Sequence, residues 1–186
     1  SNKPKNIIIV SRLLKDKGIF EFISIAEILS KKYEKLKFTI VGDIDVSNPM
    51  SLKKSQVDSI NKNDNIIFLG RRSDISNLLN ESDIFLFPSY REGFPKVLME
   101  AAASGLPAIA FDVAGCRDAI IDNKTGYLAP FNNVDILMEK LEYLLNNHNE
   151  FKKMSINARV HAEINFNNKS ISETHLNELL KYESIG

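Results

Sequence analysis

Six short apolar runs, each followed by a turn and a helix-like segment, constrain this chain more than any other feature. They are Ile7 to Ser11, Leu36 to Val41, Asn65 to Leu69, Ile84 to Phe87, Ala108 to Phe111 and Gly126 to Ala129. The first is apolar on successive positions, not alternate ones, as in a strand buried on both faces of a parallel sheet. Between the runs lie helix patterns. Residues 19, 20, 22, 23, 25, 26, 28 and 29 are apolar, which makes Ile19 to Lys32 an amphipathic helix. Further helices are expected over 51–61, 73–79, 96–104 and 116–121, and three closing ones over 134–146, 149–165 and 168–182. Strands alternating with helices predict an α/β fold: a doubly wound parallel sheet of about six strands with closing C-terminal helices.

The bulk composition removes several function classes. The 24 basic and 24 acidic side chains cancel, whereas a nucleic-acid binder carries a strong basic excess. The single cysteine, Cys116, excludes an intrachain disulfide framework and fits a reducing, cytoplasmic compartment. No apolar run approaches the roughly 18 residues of a membrane span. The 186 residues suit one domain. The chain opens Ser-Asn-Lys-Pro without Met and enters a strand at once, so residues 1–5 are expected to be a cloning remnant or linker. Residues 6–186 are then one domain of a longer protein.

Residues 83–105 carry the chemistry. Pro88 cannot continue a central ladder, so the strand from Ile84 stops there. Ser89 to Phe94 reads as a loop, Pro95 suits the first position of a helix, and Gly105 with Pro107 ends that helix. Glu92 lies in the loop and Glu100 eight positions on, inside the helix. In open parallel sheets, ligands bind outside the strand carboxyl ends, and helix N-termini there favour anions. Two carboxylates beside such a helix end suggest a ligand with both phosphates and hydroxyls, such as a nucleotide sugar.

The stretch Glu92-Gly-Phe-Pro-Lys-Val-Leu-Met-Glu100 resembles the E-x7-E signature of family-4-type retaining glycosyltransferases of the GT-B fold. Its context, Pro88-Ser-x-x-Glu-Gly-Phe-Pro-x-Val-x-x-Glu-Ala, agrees with that family nearly position for position. The resemblance extends over about residues 6–182 and corresponds to the second half of such an enzyme, a Rossmann-like domain that binds the sugar donor. The resemblance implies a first half, binding the acceptor, that would lie outside this chain, with the active site in the cleft between the two.

The resemblance implies roles for particular residues. Arg12 and Lys17, in an R-x4-K-G element after the first strand, would hold the donor diphosphate. Positive charge held there offsets the negative charge that grows on the leaving group. Glu92, with Gly93, Phe94 and Lys96, would meet the donor sugar. The expected role of Glu92 is hydroxyl contact and electrostatic support of an oxocarbenium-like state, with a nucleophile role left open. Glu100 would accept hydrogen bonds from the ribose diol, with Val97 beside it. Arg71 would lie near the nucleobase, and Arg72 is equally placed in sequence. Gly115-Cys-Arg-Asp118 resembles a Gly-Gly-x-x-Glu element, with Cys116 for one Gly and Asp118 for Glu. Asn168 stands where relatives usually carry Trp.

The expected partner is therefore a UDP-, GDP- or ADP-sugar, with no other cofactor, no metal and no nucleic acid. Peripheral membrane association is expected only through that first half. Two rivals remain at this point: a GT-B-like sugar-nucleotide epimerase, and a non-catalytic nucleotide-binding α/β module. His148, His161 and His175 show no metal spacing and are read as surface or packing residues.

Overall fold

The structure, a computed structural model, describes residues 4–60 and 64–166. The strands are β1 (Asn6–Val10), β2 (Lys37–Val41), β3 (Ile66–Gly70), β4 (Ile84–Phe87), β5 (Ala108–Phe111) and β6 (Gly126–Ala129). The helices are α1 (Ile19–Lys32), α2 (Lys54–Ile60), α3 (Ile75–Asn80), α4 (Lys96–Ala103), α5 (Ala114–Ala119), α6 (Val134–Asn146) and α7 (His148–Asn165). A single 3₁₀ turn, Lys15–Lys17, precedes α1. The helix expected over 168–182, with Asn168 and His175, lies outside the described residues.

All strands run parallel in the order β3-β2-β1-β4-β5-β6. The fold is thus a Rossmann-like α/β domain. The chain winds outward from β1 in one direction, then returns and winds out the other way from β4. β1 and β4 are neighbours at the point where the order reverses, and a crevice opens above such a switch point.

Burial explains why these runs are strands. Ile7, Ile8 and Ile9 of β1 and all four residues of β4 and of β5 are buried. Helices cover both faces. α1 touches α6, while α4 touches α3, α5 and α7. Phe22 of α1 meets Phe38 of β2 edge to face, with ring centroids 5.8 Å apart. Such pairs add about 0.5–1.5 kcal/mol to the burial itself.

Two boundaries differ from expectation in ways that matter to the site. Pro95 caps α4 and does not occupy its first turn; its ψ of 97° is extended, and the helix begins at Lys96. α5 starts at Ala114, two residues before the expected start at Cys116. The helix expected over 51–61 is shorter, and residues 44–53 are held by local bonds such as Ser47 Oγ to Asp45 Oδ1.

Candidate functional site

The loops leaving β1 and β4 meet at the switch point, and Gly18 is where they touch. A β-carbon there would sit 1.9 Å from the Pro88 carbonyl oxygen, and the φ of +70° already favours glycine. The Tyr90 N–H donates to the Asp16 carbonyl at 2.9 Å. The loop after β5 joins from the other side. A β-carbon on Gly115 would lie 2.2 Å from the Gly93 carbonyl oxygen and 2.9 Å from that of Glu92. Three segments far apart in sequence are therefore in backbone contact around Glu92.

Within this junction, Lys17 Nζ donates to Glu92 Oε1 at 2.8 Å and to the Arg91 carbonyl at 3.0 Å. The two side chains are only 16% and 11% exposed, so the pair is screened less than a surface bridge. Ser89 Oγ donates to the same Oε1 at 2.6 Å, and Ser89 is fully buried. Such bonds to an ionised oxygen are the strong ones. The charge partner of Glu92 is thus Lys17 and not its sequence neighbour Arg91. Cys116 lies behind the pair. Burial pushes its thiol up to about 12, with the negative charge of Glu92 adding to the effect, so it is a packing residue.

Arg12 stands two residues past β1, where Ser11 N–H to Val41 O at 3.0 Å and Leu13 N–H to Asp43 O at 3.1 Å fix the loop against the exit of β2. Its side chain is 65% exposed and approaches Asp45 at 3.9 Å, a contact worth little. Hydrogen bonds from Ser47 hold the Asp45 carboxyl below its ordinary range. Arg12 and Arg71 line one cavity of about 460 Å³, together with Gly42, Asp45 and Arg72. Arg72 is tied to Asp74 through two contacts of 2.8 and 2.7 Å. Arg71 makes no ion pair among the described residues, which separates two arginines that sequence leaves equivalent.

Glu100 and Lys96 face a different space, a groove of about 330 Å³ between α4 and α7 shared with Arg159 and Glu163. Glu100 is exposed. Phe94 is half exposed and meets Phe166 edge to face at 6.5 Å. Val97 packs its side chain against the main core. No side chain caps α4. The N–H groups of Lys96 and Val97, in its first turn, have no protein acceptor among the described residues, as expected of an anion-accepting helix end.

The sequence-nominated residues therefore divide. Lys17, Glu92 and Gly93 share one packed junction, Arg12 and Arg71 one cavity, and Glu100 and Lys96 a groove on α4. Arg12, Lys17, Arg71, Glu92 and Gly93 stand in loops that leave strand carboxyl ends, and Lys96 and Glu100 lie on α4, the helix that follows β4. Ser89 belongs to the same motif, and its place three residues before Glu92 in a tight loop is the sequence signal for its contact with that carboxylate. Asp118 at the end of the five-residue Gly-Gly-x-x-Glu element puts Ala114 and Gly115, not Gly115 and Cys116, at its two glycines. The contact with Gly93 explains why Gly115 is the one that stays glycine. His148 stacks on Phe151 and His161 meets Phe166 edge to face, both as packing groups.

Comparison with known proteins identifies the family. Residues 1–161 match the family described as glycosyl transferases group 1. The capsular polysaccharide biosynthesis glycosyltransferase CapM of Staphylococcus aureus is 30% identical over 164 residues, 88% of this chain and 43% of CapM. The N,N'-diacetylbacillosaminyl-diphospho-undecaprenol alpha-1,3-N-acetylgalactosaminyltransferase of Campylobacter jejuni is 35% identical over 161 residues, 87% of this chain and 40% of that enzyme. A mutant of TarM from S. aureus, solved with Fondaparinux, alpha-GlcNAc-glycerol and UDP, superposes with a TM-score of 0.80 at 28% identity. That superposition covers 94% of this chain and 35% of TarM. The chain thus spans less than half the length of these proteins. With the match over residues 1–161, it belongs to the glycosyl transferases group 1 family.

Proposed function

We propose that this chain is the donor-binding half of a family-4-type retaining glycosyltransferase of GT-B architecture. It takes a hexose-type sugar from a nucleotide donor and passes it to a glycan or lipid-linked acceptor in cell-surface polysaccharide synthesis, in the cytoplasm or at the inner face of the membrane. The observation that carries the reading is the Lys17–Glu92 pair, set at the β1/β4 switch point beside the open N-terminus of α4. That end supplies a cation, a carboxylate and free backbone N–H groups where a sugar diphosphate needs them. UDP is the favoured nucleotide, because TarM was solved with UDP.

In this reading, the donor diphosphate lies over the first turn of α4 and takes the third donor of Lys17 together with the exposed Arg12 guanidinium. The base enters the cavity lined by Arg12 and Arg71, where the unpaired Arg71 can stack on it. Glu100 accepts from the ribose diol, and Glu92 meets the sugar. As the glycosidic bond breaks, negative charge grows on the diphosphate and positive charge on the sugar ring. Lys17, Arg12 and the helix end stabilise the first, and the Glu92 carboxylate the second. The acceptor and the proton-accepting group belong to an N-terminal domain in cis. The epimerase and binding-module readings have no observation of their own in their favour.

A thermal-shift panel of UDP, GDP, ADP and their sugars tests this. Ligand at 100 times its dissociation constant stabilises by about 2.7 kcal/mol. In a domain of this size that raises Tm by roughly 5–10 °C. Arg12→Ala and Glu100→Ala should each reduce the shift. No response to any nucleotide would overturn the proposal.

A further inference from the structure

Both polar contacts of the Glu92 carboxylate fall on one oxygen. Oε1 accepts from Lys17 Nζ at 2.8 Å and from Ser89 Oγ at 2.6 Å. Oε2 has no protein partner among the described residues, and it is not among the oxygens shut away from solvent. A free carboxylate turns about its last torsion and offers either oxygen. This one is anchored at Oε1 and leaves Oε2 open.

The two anchors are unequal. Lys17 reaches Glu92 on a flexible stem, and one of its three donors goes to the Arg91 carbonyl. In the proposed function its remaining donor is drawn to the diphosphate, so donor binding pulls the ammonium between two anions. Ser89 has no such competitor. It is fully buried between Pro88, which abuts Gly18, and Tyr90, whose N–H bonds Asp16 and whose hydroxyl donates to Glu21 at 2.8 Å. Its hydroxyl carries one proton and has three acceptors near it: Glu92 Oε1 at 2.6 Å, the Asp16 carbonyl at 3.3 Å and the Arg91 carbonyl at 3.5 Å. The short contact to the ionised oxygen takes the proton.

We infer that Ser89 is a positioning residue that holds Glu92 Oε1 so that Oε2 faces a hydroxyl of the donor sugar. The inference rests on the donor-site reading above. It makes Ser89 act on the sugar alone, through Glu92, and not on the nucleotide.

Calorimetric titration of this chain with UDP, UDP-glucose and UDP-N-acetylglucosamine, and with GDP, GDP-mannose, ADP and ADP-glucose, separates the two. The quantity to read is the affinity for a nucleotide sugar divided by that for its nucleotide diphosphate. Ser89→Ala should lower this ratio about 5-fold, the size of one ordinary hydrogen bond, with diphosphate affinity unchanged within 2-fold. In a Glu92→Ala background, where Ser89 has no side chain to hold, Ser89→Ala should change the ratio no further. An unchanged ratio in Ser89→Ala, an equal loss for diphosphate and sugar, or the same loss in the Glu92→Ala background would each overturn the inference and leave the donor site standing. Failure of the unsubstituted chain to bind any of these compounds would overturn both.

Discussion

At the scale of single residues, the Lys17–Glu92 pair is the most consequential contact. Removing Lys17 leaves a mostly buried carboxylate with Ser89 as its one hydrogen-bond donor. A group stranded in this way costs about 1–3 kcal/mol. Lys17→Ala should therefore lower Tm by several degrees, and adding Glu92→Gln should recover part of the loss. A double variant no more stable than Lys17→Ala would show that the two side chains are independent. Cys116, directly behind, gives a second check. With its thiol pushed up to about 12, it should resist iodoacetamide at pH 8 until the chain is unfolded, and rapid labelling of the folded chain would contradict its burial. Arg12, Lys17, Glu92 and Glu100 are all visible in sequence because each sits in a spaced motif. Ser89 is not, because its partner depends on how the loop turns back between Pro88 and Glu92. Nor does sequence separate Arg71 from Arg72: that distinction comes from Asp74, two residues on, closing on Arg72 alone.

At the scale of elements, the site is a seam among loops, sealed by glycines. The Gly115–Gly93 approach leaves no room for a side chain. Gly115→Ala must push the N-terminus of α5 away from the Glu92–Gly93 backbone. It should weaken nucleotide-sugar binding by 10-fold or more while the circular dichroism of the sheet and helices persists. Full binding by the alanine variant would show that this contact is dispensable. The six strands could be read directly, since continuous apolar runs bounded by turn residues admit few other structures. β4, β5, β6, α1 and α6 have the expected boundaries. The start of α5 was less legible, because Val113-Ala-Gly-Cys contains no side-chain cap and Val113 takes that position in an extended conformation. α2 was overextended because the polar stretch before it makes its own turns, with Asp45, Asn48 and Ser51 bonding nearby backbone.

At the scale of the whole molecule, the proposed chemistry is divided between this domain and an N-terminal one. This chain alone should bind donor yet transfer no sugar to an added acceptor, and transfer by it would show that the second domain is not required. The central claim, that the carboxyl side of the sheet is the donor site, has a competitor within the fold. The groove at the opposite, N-terminal edge is larger, about 540 Å³, and lysine-rich, with Lys5, Lys31, Lys32 and Lys35. Part of that charge is already answered, since Lys32 is bonded to Glu142 and two helices direct their carbonyl ends there. Backbone amide chemical shifts during titration with UDP or a UDP-sugar distinguish the two sites most directly. The account predicts perturbations at residues 11–18, 42–45, 70–72, 92–94 and 96–100. Perturbations confined to Lys5, 31–36 and 145–146 would contradict it.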